Sequence, residues 1–145
     1  MSTNLGTIFK LERTPFATMP AVVEDWPYSP LVTSMGSPTW TEIPIIPETC
    51  GLSFETDEKT GLVYNIEVVF EILKKDNSIL IHQMLQGKFV LKATTMFLEK
   101  VYLIGDHRIG GRFSLKNAQE GPSPADGNIQ QWVYRIRTDK PPMEV

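Results

Sequence analysis

The sequence predicts a mostly-β fold: a sandwich or partly open barrel of about seven to nine strands with one short α-helix at about residues 78–86. Three observations carry this. The stretch Leu62–Leu73 alternates strictly, with Leu62, Tyr64, Ile66, Val68, Phe70 and Ile72 apolar at period two, a pattern a half-buried strand presents and a helix cannot. Seven of the eleven prolines lie between Pro15 and Pro47, and none occurs from Gly51 to Gly121; proline is excluded from central strands and helix interiors, so regular structure concentrates after residue 50. A single window, Ser78–Gln86, combines a broad apolar face with a cap-forming run before it, Asp76-Asn77-Ser78, and Gly87 after it.

Before Gly51, Thr7–Leu11, Ala21–Glu24 and Thr39–Ile46 are short strand candidates, the last ended by Pro47. Residues 12–48 read as extended segments, turns and edge strands. The chain is thus one structural domain in two parts. Residues 1–50 are a proline-rich segment packed on the domain or on a neighbouring subunit, and residues 51–145 are the β domain. Trp26, Tyr28 and Trp40 are large aromatics on the first part. They pin it to the core or anchor a partner subunit, and an arm wrapping a neighbour satisfies both readings.

After Gly51, Leu52–Glu55 pairs with the long strand as a hairpin across a Thr60-Gly61 turn. The oily face of that strand is core. Its other face mixes Val63, Val69 and Leu73 with Asn65, Glu67 and Glu71, and is the place for an N-terminal arm, a second sheet layer or a neighbouring subunit. Glu67 and Glu71 therefore join Trp26, Tyr28 and Trp40 as the candidate interaction surface. Strands follow the helix at Lys88–Thr95, Lys100–Ile104 and Arg112–Lys116. Residues 117–128 form a polar loop, Ile129–Arg137 is the last strand, and Pro141-Pro142 ends regular structure.

The chain has 145 residues, 41% hydrophobic and 21% charged, with a net charge of −3, values of a globular chain. The acidity sits in residues 1–50, which hold two basic and five acidic side chains against twelve of each in the remainder. No Lys/Arg cluster of the kind that displaces phosphate counterions is present, so nucleic acid is not an expected partner. No stretch approaches the length of a membrane span. Met1–Gly6 lacks the basic and apolar pattern of a secretory signal.

Chemistry-bearing motifs are sparse. His82, His107 and the single Cys50 are far apart and make no metal-ligand pattern. His82 reads as a surface or half-buried helix residue, Asp106-His107-Arg108 as solvated turn residues, and Cys50 as a small buried apolar side chain. No nucleophile elbow, phosphate loop or dinucleotide fingerprint occurs. Glu67 and Glu71 share a strand face, which suits cross-strand ion pairs more than a carboxylate pair for catalysis. The expectation is a non-enzymatic protein with no cofactor, no metal and no small-molecule substrate.

Residues 50–140 resemble small structural proteins of phages and prophages of Bacteroidetes-type bacteria. The resemblance is carried by Thr60-Gly61-Leu62-Val63-Tyr64, Tyr102-Leu103-Ile104-Gly105, Arg112-Phe113-Ser114, and the loop Gly121–Asn128 leading to Trp132 and Tyr134. It implies a β-rich virion subunit, as a tail or head–tail component, that forms homo-oligomers or meets other virion proteins, in the bacterial cytoplasm or the virion. The alternative is a carbohydrate- or peptide-binding β module that uses exposed Trp26, Trp40 or Trp132.

Overall fold

In the computed structural model, residues 2–57, 63–74, 77–96, 100–118 and 129–145 are described. Backbone pairing begins at once. Ser2–Pro15 (β1) is followed by a 3-10 turn at Phe16–Thr18, then Val22–Glu24 (β2), Val32–Met35 (β3), Thr41–Ile43 (β4), Cys50–Asp57 (β5) and Val63–Leu73 (β6). The helix Ser78–Met84 (α1) comes next, then Phe89–Thr95 (β7), Val101–Ile104 (β8), Arg112–Ala118 (β9), Ile129–Thr138 (β10) and Met143–Glu144 (β11). The fold is mostly β with one short helix. Leu62, the Thr60-Gly61 turn, Glu99 and most of the 117–128 loop lie outside the described residues.

The largest departure from expectation is β1. It contains the expected Thr7–Leu11 strand but runs from Ser2 to Pro15, antiparallel between β5 and β7, in the middle of the main sheet. Its proline stands at the last position, so no ladder hydrogen bond is lost. Two irregularities, between Asn4 and Thr7 and between Ile8 and Lys10, break its alternation. Gly6 takes a left-handed φ of 97°, and its N–H donates to Asn4 Oδ1 at 2.8 Å. Ile8 and Leu11, three apart, therefore both face the core. Three smaller differences follow. β3 completes a hairpin with β2. The Thr39–Ile46 candidate shrinks to β4, paired to β1. Pro141-Pro142 is followed by β11, paired to β8.

The main sheet runs β11-β8-β7-β1-β5-β6-β10-β9, with β4 beside β1. It is largely open but curls until its strands touch at one further point. Phe89 at the start of β7 and Gly111 before β9 form an antiparallel bridge, with N–H···O distances of 2.8 and 3.0 Å. Tyr134 locks this point, since its hydroxyl donates to Phe89 O at 2.7 Å and accepts from Gly111 N at 3.0 Å. Burial pushes the Tyr134 hydroxyl above its ordinary range, which keeps it a neutral donor. Tyr134→Phe removes both hydroxyl hydrogen bonds while Phe89 and Gly111 keep the two between themselves, so urea denaturation should show a loss of about 1–2 kcal/mol with an unchanged far-UV spectrum.

The predicted oily face of β6 is core: Tyr64, Ile66, Val68, Phe70 and Ile72 are buried with Leu52, Leu91, Phe113 and Trp132. A second cluster on the other face of β7 and β8, built from Met19, Val22, Val90 and Leu103, is covered by the β2–β3 hairpin, Phe16 and Trp40. Helix α1 seats Met84 in the main core and ends two residues earlier than expected. Leu85 follows it in αR conformation and Gly87 turns the chain at φ 85°.

Candidate functional site

The five surface candidates do not form one patch. Glu67 and Glu71 lie on the outer face of β6. Glu67 borders a groove of about 710 Å³ over β5, β6 and β10 and is bound to Arg135 Nε at 3.2 Å, the cross-strand pairing expected of a solvated face. Trp40 belongs to the second core cluster, with Lys92 Nζ 4.9 Å from its ring centre. Trp26 is brought together with other aromatic residues, and they define the site, while Tyr28 stands two residues further along the same turn, outside the lining.

That site is a cleft of about 440 Å³ where β1, β5, β6 and β8 meet the Trp26–Leu31 turn and the C-terminal segment. Tyr64 forms its centre. Trp26 stands edge-on to Tyr64, with centroids 5.9 Å apart and planes at 80°, and Phe54 tilts against it at 5.8 Å. Tyr102, Pro30 and Pro142 complete the apolar wall. Lys100 and Glu144, 3.9 Å apart, supply the polar rim. The turn carrying Trp26 is closed by Ser29 N donating to Asp25 O at 3.0 Å and Ser29 Oγ donating to Asp25 Oδ2 at 2.9 Å. Its tip is Tyr28, which is 90% exposed. A large aromatic ring thus stands bare beside an aromatic-lined hollow.

The turn is held to the C-terminal strand by Glu144 N donating to Pro30 O at 2.7 Å, and β2 just before it is tied down by a buried ion cluster. Asp106, 1% exposed, and Lys140, 3% exposed, are hydrogen-bonded to one another, and Lys140 also reaches Glu24 of β2. Asp106 Oδ1 accepts from the backbone N–H of Arg108 at 2.8 Å and of Ile109 at 2.9 Å. Arg108 joins Asp106, Glu24 and Asp139 at 3.3–3.7 Å. Burial alone would raise the Asp106 carboxyl. Lys140 and the two N–H donors outweigh it and hold the group below the usual carboxylate range. Asp106 is therefore a structural anchor, against the expectation of a solvated turn.

The remaining chemical candidates are occupied or remote. His107 Nδ1 accepts from Val22 N at 3.0 Å. His82 is exposed on α1 beside Gln86 Nε2, at 2.9 Å. Cys50 is buried, which pushes its thiol up to about 12. Among the described residues, no three His, Cys, Asp or Glu side chains stand close enough to share a metal ion. Among the described residues, no helix is long and apolar enough to cross a membrane. Sequence reasoning named Trp26 but missed Phe54, Tyr64 and Tyr102 as its neighbours, because those read as ordinary strand residues; the β5–β6 register sets Phe54 diagonal to Tyr64, and long-range packing brings Tyr102 and Trp26 to them. Comparison with family models, with curated proteins and with solved structures finds no match.

Proposed function

We propose that this chain is a non-enzymatic structural subunit that self-assembles, using Tyr28 as an anchor and the Trp26–Tyr64 cleft as the pocket that receives the same residue of a second copy. The observation that carries the reading is the pairing of a bare aromatic side chain with an aromatic hollow on one surface. An interface with a two-fold axis needs such a self-complementary patch, and Tyr and Trp are the side chains that dominate binding hot spots. The likeness of residues 50–140 to small phage structural proteins supports a virion setting for this assembly, in the tail or at the head–tail junction.

Two other routes to assembly are weaker. Residues 2–8 are paired to β5 and residues 8–15 to β7, so this segment belongs to the sheet and does not act as a free arm. The outer edge of β9 carries Arg112 and Lys116, charges that oppose edge-to-edge pairing. The alternative reading, a carbohydrate- or peptide-binding module, draws on the same cleft and rests on Trp26. Trp132 is buried in the core and Trp40 is covered.

Light scattering coupled to size exclusion tests the proposal. The wild-type chain should exceed monomer mass at high concentration. Tyr28→Ala should weaken association by about 2 kcal/mol, about thirtyfold in dissociation constant. A strict monomer at every concentration, or an unchanged Tyr28→Ala, overturns it.

A further inference from the structure

Beneath α1, at a site separate from the aromatic cleft, the interior holds a cation that meets no carboxylate among the described residues. Arg13 lies on β1 opposite Leu91 of β7 and Thr41 of β4. It faces inward with Leu11 and is only 7% exposed. Its Nη2 donates to Gln83 Oε1 of α1 at 3.0 Å, and its guanidinium lies 5.6 Å from the centre of the Phe89 ring. Its Nε is buried and has no acceptor. Among the described residues no carboxylate reaches it. Burial lowers its affinity for its proton, which records the same lack of a partner.

A buried arginine without an acid is costly, and an apolar side chain of similar volume would pack at least as well. Such a residue is kept where something else meets its charge. Arg13 borders a hollow of about 500 Å³ that opens between α1 and the Pro15–Ala17 segment. The lining adds a second cation, Lys88, two amides, Gln83 and Gln86, and two phenyl rings, Phe16 and Phe89. It contains no carboxylate. A second hollow on the other side of Arg13 is lined by Glu42 and lacks this character.

The geometry points to a binding site for a carboxylate borne on a flat apolar group, in which the carboxylate takes Arg13 Nε and Nη2 as a fork and the apolar body lies between Phe16 and Phe89. Arginine's planar donors match a carboxylate two-to-two. Gln83 Oε1 now holds Nη2 and acts as the stand-in acceptor; it swings aside on its exposed side chain when the ligand enters. Lys88 at the rim adds attraction as a point charge. Both a free aromatic acid and the C-terminal carboxylate of a peptide ending in phenylalanine have this chemistry.

Nuclear magnetic resonance of the full chain decides the matter, read at the Arg13 Nε–H and Gln83 side-chain signals. Benzoate at millimolar concentration should shift both signals, and benzyl alcohol, its uncharged counterpart, neither. Arg13→Met should remain folded and abolish the response. Lys88→Gln, a change at an exposed position, should weaken it by about threefold to tenfold and carries the test if Arg13→Met does not fold. Phenylalanine-terminated peptides, free and amidated, then identify the source. Tighter binding of the free peptide than of benzoate assigns a chain terminus, and benzoate alone assigns a small acid. Equal shifts with benzoate and benzyl alcohol, no shift with any acid, or full benzoate binding by Arg13→Met overturns the site.

Discussion

Asp106→Ala should lower stability by about 3 kcal/mol or more, a fall of about 10 °C in the melting temperature. The substitution removes the acceptor of Arg108 N, Ile109 N and Lys140 Nζ together. It leaves a lysine that is 3% exposed with Glu24 as its remaining partner in the cluster. Asp106→Asn keeps an oxygen for the two backbone donors, so about half of the loss should return. The same group sets an acid limit. Its carboxyl is held below its unfolded value near pH 4. The stabilisation is therefore complete above that pH and fades as pH falls through the folded-state value. Urea titrations from neutral to acid pH should show wild type losing stability below about pH 4 more steeply than Asp106→Ala. A loss below about 1 kcal/mol, or parallel pH curves, contradicts the anchor.

The second large effect is expected at Gly111. A Cβ there would lie 2.5 Å from Tyr134 Cζ and 2.6 Å from the backbone oxygen of Arg135. Neither can retreat: Tyr134 is hydrogen-bonded across the closing bridge, and Arg135 is paired to both β6 and β9. Gly111→Ala should therefore cost about 3 kcal/mol, the upper range for overpacking. Gly110 is the internal control. Its added Cβ would meet Phe16 Cγ at 2.8 Å and Cβ at 3.0 Å, but Phe16 is half-buried on a short 3-10 turn rather than hydrogen-bonded across the bridge, so Gly110→Ala should cost less, about 1–2 kcal/mol. Urea midpoints in the reverse order, or both variants equal to wild type, would show that the bridge does not fix the curl of the sheet.

The parts of the fold legible in the sequence are those whose signal is local. β6 alternates without a break, so its buried face can be read residue by residue. Helix α1 follows a capping run, and its end is missed by only two residues because Leu85 and Gln86 form a closing turn, with Gln86 N donating to Gln83 O, before Gly87 redirects the chain. β1 is illegible as a central strand because its two irregularities place Ile8 and Leu11 on one face at odd spacing, which period-two reading scores as disorder in the pattern. Its neighbours in the sheet come from residues 50–57 and 89–95, and no local property announces that pairing. The ion cluster is hidden for the same reason: Lys140 meets Glu24 across 116 residues. The one local trace is an aspartate followed by backbone donors two and three positions on, a pattern that exposed turns share. Trp26 and Tyr28 could be named from their chemistry, and the residues that line the cleft beside Trp26 could not.

The central claim is that Tyr28 of one copy enters the cleft of another, and a mixing experiment tests it most directly. Tyr28→Ala keeps the cleft and loses the anchor. Thr56→Phe keeps the anchor and fills the cleft, whose lining includes Thr56. Sedimentation velocity should show each variant alone weaker than wild type in self-association. An equimolar mixture should associate more strongly than either, because one anchor then meets one open cleft. A mixture no stronger than its components, with both variants folded, would contradict the account.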